Sequence, residues 1–453
     1  MVEDSLFLIN RRRNLNQPVI SVFDDFTTSP FNTSCFSKRH IINVSGYAKM
    51  TTKTYSKRRR KAIIGCTSSE SSPASEEVIA SNEDLLTEIL LRLPAKSLIR
   101  FKSVSKNWLH LISNSHFAVN HSRRIRNSSM ISGLFFYYDY SRSELHSVSL
   151  HDHPYRSLPT LSFLDDVGGD HPFWIRSACN GLILCQNYQI VCNRFRKKYV
   201  VCNPTTQKFT LLPQLDSLSL LYESLGVYLA FDPSKSPHYK VVFFRPCYQF
   251  DIYSSETASW KQITVSECEP LRDCLEGVFW NGAIHWLSHE DVHFRFDVDE
   301  EKLIKTHNPP SPKILSVDKT RYFGECGGHL LLIQMRLRNA MGFKILEMDR
   351  VSFHWIVKCG VNLRPLISVF PEIDIDARSR RYKFRVLCVV TGVSENDFAL
   401  VLATAGKVIY YDLKCKTSRV LLDHLPLLNF HASIFHRYPC SHTYQFIESL
   451  SPV

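Results

Sequence analysis

The sequence predicts an α+β multidomain chain: a small three-helix segment, then a large all-β domain read as a β-propeller of six or seven blades, behind a disordered N-terminal tail. Three observations predict this. Apolar residues recur at helical spacing between Ser81 and Ser113. A strand–turn–strand unit recurs at irregular intervals of about fifty residues beyond residue 130. The first eighty residues show neither pattern.

Residues 1–80 are read as a basic, serine-rich tail. A stretch such as "SSESSPASEE" holds too little apolar surface to offset its ordering entropy. Part of the chain's net charge of +12 is local, because this tail carries twelve Lys/Arg against seven Asp/Glu. Much of it sits in Lys57, Arg58, Arg59, Arg60 and Lys61, a run that reads either as a nuclear import signal or as a solvated basic surface. The remaining positive charge is spread thinly, so nucleic acid is not the expected main partner. No stretch reaches the ~18–20 apolar residues of a membrane span, and "MVEDSLFLIN" lacks a secretory plan. The expected location is therefore intracellular, in the nucleus, the cytoplasm or both. Fourteen scattered cysteines form no C-x-x-C pair, so they are read as reduced, packed thiols, with no metal and no cofactor expected.

Residues 81–121 follow. Ser81, Asn82 and Asp84 offer N-cap and first-turn chemistry. Leu85, Leu86, Ile89, Leu90 and Leu93 then read as one apolar helical face, ended by Pro94. A second period runs through Leu98, Ile99, Phe101 and Val104, and a third through Trp108, Leu111 and Ile112. Three helices in roughly forty residues cannot enclose all these side chains, so a partner surface is the expected completion.

These residues carry a resemblance. "EDLLTEILLRLPAKSLIRFKSVSKNW" resembles an F-box, matching Lys96-Ser97-Leu98, Arg100-Phe101 and Val104-Ser105-Lys106 in register. The motif's opening Leu-Pro is replaced by Ser81-Asn82, which predicts a weaker contact there. The resemblance implies docking to the small adaptor of SCF-type cullin–RING ubiquitin ligases, and through it to a cullin. Leu85, Leu86, Ile89, Leu90, Leu93, Pro94, Leu98, Val104 and Trp108 would be the adaptor-binding residues.

From about residue 130 to Val453 the texture is β-rich. "YVVCNPTTQKFTLLP" shows the unit: a strand through Val200 to Cys202, a turn at Asn203 to Thr206, and a return through Phe209 to Leu212. "FDIYSSETASWKQI", "FRFDVDEEKLIKT", "FKILEMDRVSFHWIVK" and "VIYYDLKCKTSRVLL" repeat it, and "LHSVSLHDHPYRSLP" is a weaker first copy. Counted from the residue after each turn (Tyr155, Phe209, Trp260, Leu303, Trp355, Val420), the intervals are 54, 51, 43, 52 and 65 residues, close to a propeller period. A glycine-bent hairpin precedes several copies: "CNGLILC", "WNGAIHWL", "CGGHLLLI" and "TAGKVIYY". A sandwich pair or an irregular β-domain is the alternative; the repetition favours a ring. "SACNGLILC", "CNPTTQKFTLLP", "LAFDPSKSPHYKVV" and "YQFIESLSPV" resemble the F-box-associated region of the large plant F-box family, which is kelch-like in plan.

No catalytic constellation stands out. His151 and His153 lack a third ligand, and Asp374 and Asp376 lack the glycine and distal Glu of a calcium loop. No phosphate loop, zincin or nucleophile-elbow motif occurs. Trp174, Trp260, Trp280, Trp286 and Trp355 fall in strands and are read as blade core. The expected protein is a non-catalytic substrate receptor of a ubiquitin ligase presenting an unknown target. The alternative is a nuclear nucleic-acid- or chromatin-associated scaffold using the basic tail.

Overall fold

The computed structural model describes residues 82–126, 131–137, 144–151, 157–169, 171–191, 194–215, 226–245, 248–265, 277–288, 291–310, 319–336, 342–374, 384–392, 394, 397–404, 406–424 and 443–453. The basic run Lys57 to Lys61, Ser81, His153 and Asp376 lie outside them.

Four helices come first, one more than the sequence reading expects: α1 (Glu83–Leu90), α2 (Ala95–Phe101), α3 (Lys106–Ser113) and α4 (Ser115–Arg126). The Asn82 side chain caps α1, its Oδ1 accepting from the N–H groups of Asp84 at 3.1 Å and Leu85 at 3.2 Å. Ser105 Oγ caps α3 by accepting from Trp108 N–H at 3.2 Å. Asn114 Oδ1 accepts from His116 N–H at 2.8 Å and so starts α4. Helix α1 ends before Pro94, which instead stands in extended conformation as the entry to α2.

Six antiparallel sheets follow. The first blade holds β1 (Gly133–Tyr137), β2 (Leu145–Ser149) and, as its innermost strand, the C-terminal β23 (Thr443–Phe446). The second is β3 (Trp174–Cys179), β4 (Leu182–Val191), β5 (Arg194–Asn203) and β6 (Lys208–Leu211). The third is β7 (Gly226–Ala230), β8 (Lys240–Arg245), β9 (Gln249–Ser254) and β10 (Ser259–Thr264). The fourth is β11 (Gly277–Trp280), β12 (Ala283–Leu287), β13 (His293–Asp297) and β14 (Lys302–Lys305). The fifth is β15 (Lys319–Cys326), β16 (His329–Arg336), β17 (Gly342–Met348) and β18 (Trp355–Asn362). The sixth is β19 (Phe384–Thr391), β20 (Phe398–Thr404), β21 (Lys407–Asp412) and β22 (Ser418–Asp423).

Successive innermost strands β23, β3, β7, β11, β15 and β19 are neighbours in that order. Gln445 on β23 donates to Cys388 Sγ on β19 at 3.6 Å, and Arg419 on β22 donates to the Leu150 carbonyl at 2.7 Å, which closes the circle. The molecule is thus a six-bladed propeller, closed by pairing its first strands with its last. Closure leaves each blade only short edges, the inner ones facing the middle of the ring.

The continuous apolar runs follow from this layering. A blade is covered on both faces, so consecutive residues bury against different neighbours. Ile183 packs with Phe135 and Phe446 of the first blade, whereas Leu182 and Leu184 pack with Val227, Leu229 and Phe243 of the third. Trp280 and Trp286 are core as expected; Trp174, Trp260 and Trp355 are half-buried at blade edges. Cys179, Cys185, Cys202, Cys326 and Cys388 are buried and in no disulfide.

The recurrent turn has a physical basis. Asn203, Asp297 and Asp412 each end a third strand and Asp349 directly follows one, and each side-chain oxygen accepts from the N–H groups two and three residues on. Four residues after each, the chain turns left-handed at Gln207, Glu301, Phe353 and Lys416; Ala258 does the same after Ser254. The glycine hairpins have positive φ at both bend residues in Asn180-Gly181, Asn281-Gly282 and Gly327-Gly328, which matches the twist of the flanking strands. Two assignments differ: "LHSVSLHDHPYRSLP" supplies only the outer strand β2, with no return strand at residues 157–160, and the bend before Lys407 in "TAGKVIYY" joins β20 to β21, the second and third strands, rather than the first and second.

Candidate functional site

The helical bundle encloses only half of its apolar residues. Leu86, Leu90, Leu91, Ala95, Leu98, Leu111, Ile112, Phe117 and Ala118 form its core, joined by Leu450 from the C-terminal segment. Phe101 and Trp108 meet edge-to-face at 5.5 Å on the margin of that core, both half-buried. His121 on α4 is fully buried and donates from Nε2 to the Leu93 carbonyl at 2.8 Å, tying α4 to the turn after α1. Burial lowers the His121 pKa and keeps the ring neutral.

Leu85, Ile89, Val104 and Leu109 remain 47%, 47%, 59% and 48% exposed. Ten large apolar side chains are exposed among the described residues, and these four fall in the short bundle while six are spread over the whole ring. Leu85 and Ile89 stand one turn apart on the same side of α1. Beside them Glu88 makes an ion pair with Arg124 at 3.1 Å and a longer one with Arg92 at 3.9 Å, both exposed.

The nine residues singled out from the sequence therefore divide. Leu86, Leu90 and Leu98 are interior and unavailable to a partner; Leu85, Ile89, Val104 and Pro94 are exposed; Leu93 and Trp108 lie half-buried between. Reading Leu85 through Leu93 as one face merged two, because α1 turns 100° per residue and buries Leu86 and Leu90 while Leu85 and Ile89 stay on its open side. Leu109 escaped the sequence reading, hidden inside the apolar run "WLHLI". Asn82 replaces the motif's proline with a residue that caps α1, so the helix start is preserved by a different device.

Chemistry is not assembled elsewhere in the described residues. No three His, Cys, Asp or Glu side chains among them converge on a metal-sized site. His285 and His293 are buried together in the fourth blade, with Nδ1 and Nε2 3.2 Å apart. His285 also donates to the Trp280 carbonyl, and Thr306 bonds the far side of His293. Burial and then Arg295 pull the His293 pKa down to about 3, and burial and then His293 lower that of His285. Both rings are neutral packing elements of the blade. No helix of the described residues is long and apolar enough to cross a membrane.

Comparison with known proteins agrees with this architecture. The F-box domain model matches residues 82–120, and the F-box associated beta propeller domain model matches residues 132–422. The chain is 30% identical over 419 residues to the F-box protein At5g07610 of Arabidopsis thaliana, covering 84% of this chain and 94% of that one. It is 28% identical to the putative F-box only protein 15 of the same plant, over 48% of this chain and 56% of that one. It is 27% identical to the Arabidopsis F-box protein At5g49610, over 67% and 84% respectively. With a helical bundle at the start and a closed six-bladed ring behind it, this chain belongs to the F-box proteins that carry an F-box-associated β-propeller domain.

Proposed function

We propose that this chain is the substrate-recognition subunit of an SCF-type cullin–RING ubiquitin ligase. The helical bundle docks the adaptor, and through it the cullin, while the propeller holds a target protein. One observation supports this reading best: the bundle's core is filled by its own side chains and Leu450, yet Leu85, Ile89, Val104 and Leu109 stay in water. Exposed apolar side chains concentrated on so small a unit are what a protein partner covers. The receptor breaks no bond. It raises the effective concentration of target lysines near the ubiquitin-charged enzyme.

Such a subunit works in the nucleus, the cytoplasm or both, and Lys57 to Lys61 would direct import. The test is affinity purification of the full chain beside one lacking residues 82–126, with the proteasome blocked. Adaptor, cullin and ubiquitin-bearing target should be recovered with the full chain, and target without the ligase with the shortened one. Equal recovery of adaptor by the two would refute the docking role of the bundle.

A further inference from the structure

We infer that the C-terminal segment 447–453 is the strut that holds the helical bundle in one orientation on the propeller, with Leu450, Asn203 and Arg123 as positioning residues for target presentation. The consequence for presentation rests on the ligase reading above; the mechanical claim stands on contacts alone.

The segment follows β23 without regular secondary structure and is shared between two neighbours. Ser449 and Ser451 face the second blade. Their carbonyls accept from the Asn203 side-chain amide at 3.0 and 2.9 Å, and Ser449 N–H donates to Thr205 Oγ1 at 3.2 Å. Ser451 N–H donates back to Ser449 Oγ at 3.0 Å, which leaves both serines buried and satisfied. Leu450, between them, points the other way and is the one member of the bundle's buried cluster from outside residues 86–118. Val453 packs against the core shared by the second and third blades.

The blade surface is shaped for this segment. Gly181 has no side chain where one would collide with it: an added Cβ would lie 2.4 Å from Ser449 Cβ and 2.9 Å from the Ile447 carbonyl. A second tie lies in the third blade, where the Arg123 guanidinium of α4 donates twice to the Ser234 carbonyl, at 2.9 and 2.7 Å. A further polar approach is unfavourable. Burial and then the charge of Lys208 lower the Lys102 pKa, so two cations face each other across the junction. Orientation thus depends on the Leu450 plug and the two hydrogen-bonded ties.

These ties set a direction. Asn180-Gly181, Asn203 to Thr205 and Ser234 all sit at turns joining first to second or third to fourth strands. Alternating antiparallel strands put those turns at one end of the ring, and the second-to-third connections and the blade crossings at the other. The bundle therefore occupies one end, and the opposite end is held at a fixed angle and distance from whatever the bundle binds.

The test uses the full-length chain with a short lysine-reactive cross-linker and small-angle scattering. In the wild type, Lys102 and Lys208 should join in high yield, and one compact arrangement should fit the scattering. In Leu450→Asp, which forces a carboxylate into an apolar cluster, the Lys102–Lys208 product should fall by about ten-fold and the maximum dimension should rise. Leu450→Asp also stresses the bundle core, so the paired variant Arg123→Ala/Asn203→Asp provides the second arm. It leaves that core untouched, and the new Asp keeps the oxygen that caps the Asn203 turn while losing the amide that grips the tail. The same loss of cross-link is expected there, with adaptor affinity within two-fold of the wild type. Unchanged cross-linking and scattering in the paired variant would overturn the inference. A wild type that binds no adaptor, with variants that still lose the cross-link, would refute the ligase reading and leave the strut standing.

Discussion

Replacing Leu85 and Ile89 together by alanine separates docking from folding. Full burial of a leucine or isoleucine side chain contributes ~1.5–3 kcal/mol. Each of these two still has 47% of its surface exposed, so covering it would add about 0.7–1.4 kcal/mol per residue. Alanine retains a methyl group, about a quarter of that contribution, which leaves an expected loss of about five- to forty-fold in adaptor affinity for the pair. Alanine is also the best helix former, and neither residue belongs to the buried cluster, so α1 should persist. Titration calorimetry against purified adaptor reads the affinity, and far-UV circular dichroism with a thermal melt reads the fold. Leu90→Ala is the contrasting control. Leu90 is completely buried, and removing its side chain should cost ~2–5 kcal/mol, enough to melt a bundle of this size. For the same reason a charge at Leu90 would report unfolding rather than a lost contact. The reasoning is refuted if Leu85→Ala/Ile89→Ala binds within two-fold of wild type, or if it melts the bundle as Leu90→Ala does.

Three further outcomes follow from particular contacts. Acid should loosen the fourth blade: His293 titrates near 6.5 when unfolded but near 3 when folded, so below about pH 6.5 the unfolded chain takes the proton first. At pH 5 that single residue should remove ~2 kcal/mol, with His285 acting in the same direction, and His293→Gln should flatten the dependence of melting temperature on pH between 7 and 5. Gly181→Ala should destabilise the docked tail, both through the 2.4 Å collision with Ser449 and through its φ of +88°, read as faster amide exchange at residues 447–453. Ala258→Gly should raise the melting temperature slightly, because Ala258 holds a left-handed φ of +53° that costs ~1–2 kcal/mol against a glycine entropy penalty of about 0.5–1.

What the sequence made legible was whatever a local rule controls. The Asx-type turns that end the third strands, and the Asn-Gly and Gly-Gly hairpins, are written in residues with only one comfortable geometry, so the blade period could be read directly. The blade count needed closure. β1 and β23 lie three hundred residues apart, and nothing local to either announces that they pair. In the bundle, composition identified the apolar residues but could not tell Leu86 from Leu85, because that choice depends on where α3, α4 and Leu450 come to rest. Arg123 and Leu450 were invisible for the same reason: each acts on a surface distant in the chain. The fourth helix was legible in part, since Asn114 is a good cap and Phe117, Ala118 and His121 share one face.

The most direct check on the central claim is hydrogen exchange on the full chain with and without the adaptor. Amides of α1 and of the stretch from Phe101 to Leu109, which carry Leu85, Ile89, Val104 and Leu109, should become protected on binding, while exchange in the blades stays as it was. Protection that falls on the blades instead, or no protection anywhere at saturating adaptor, would contradict the account.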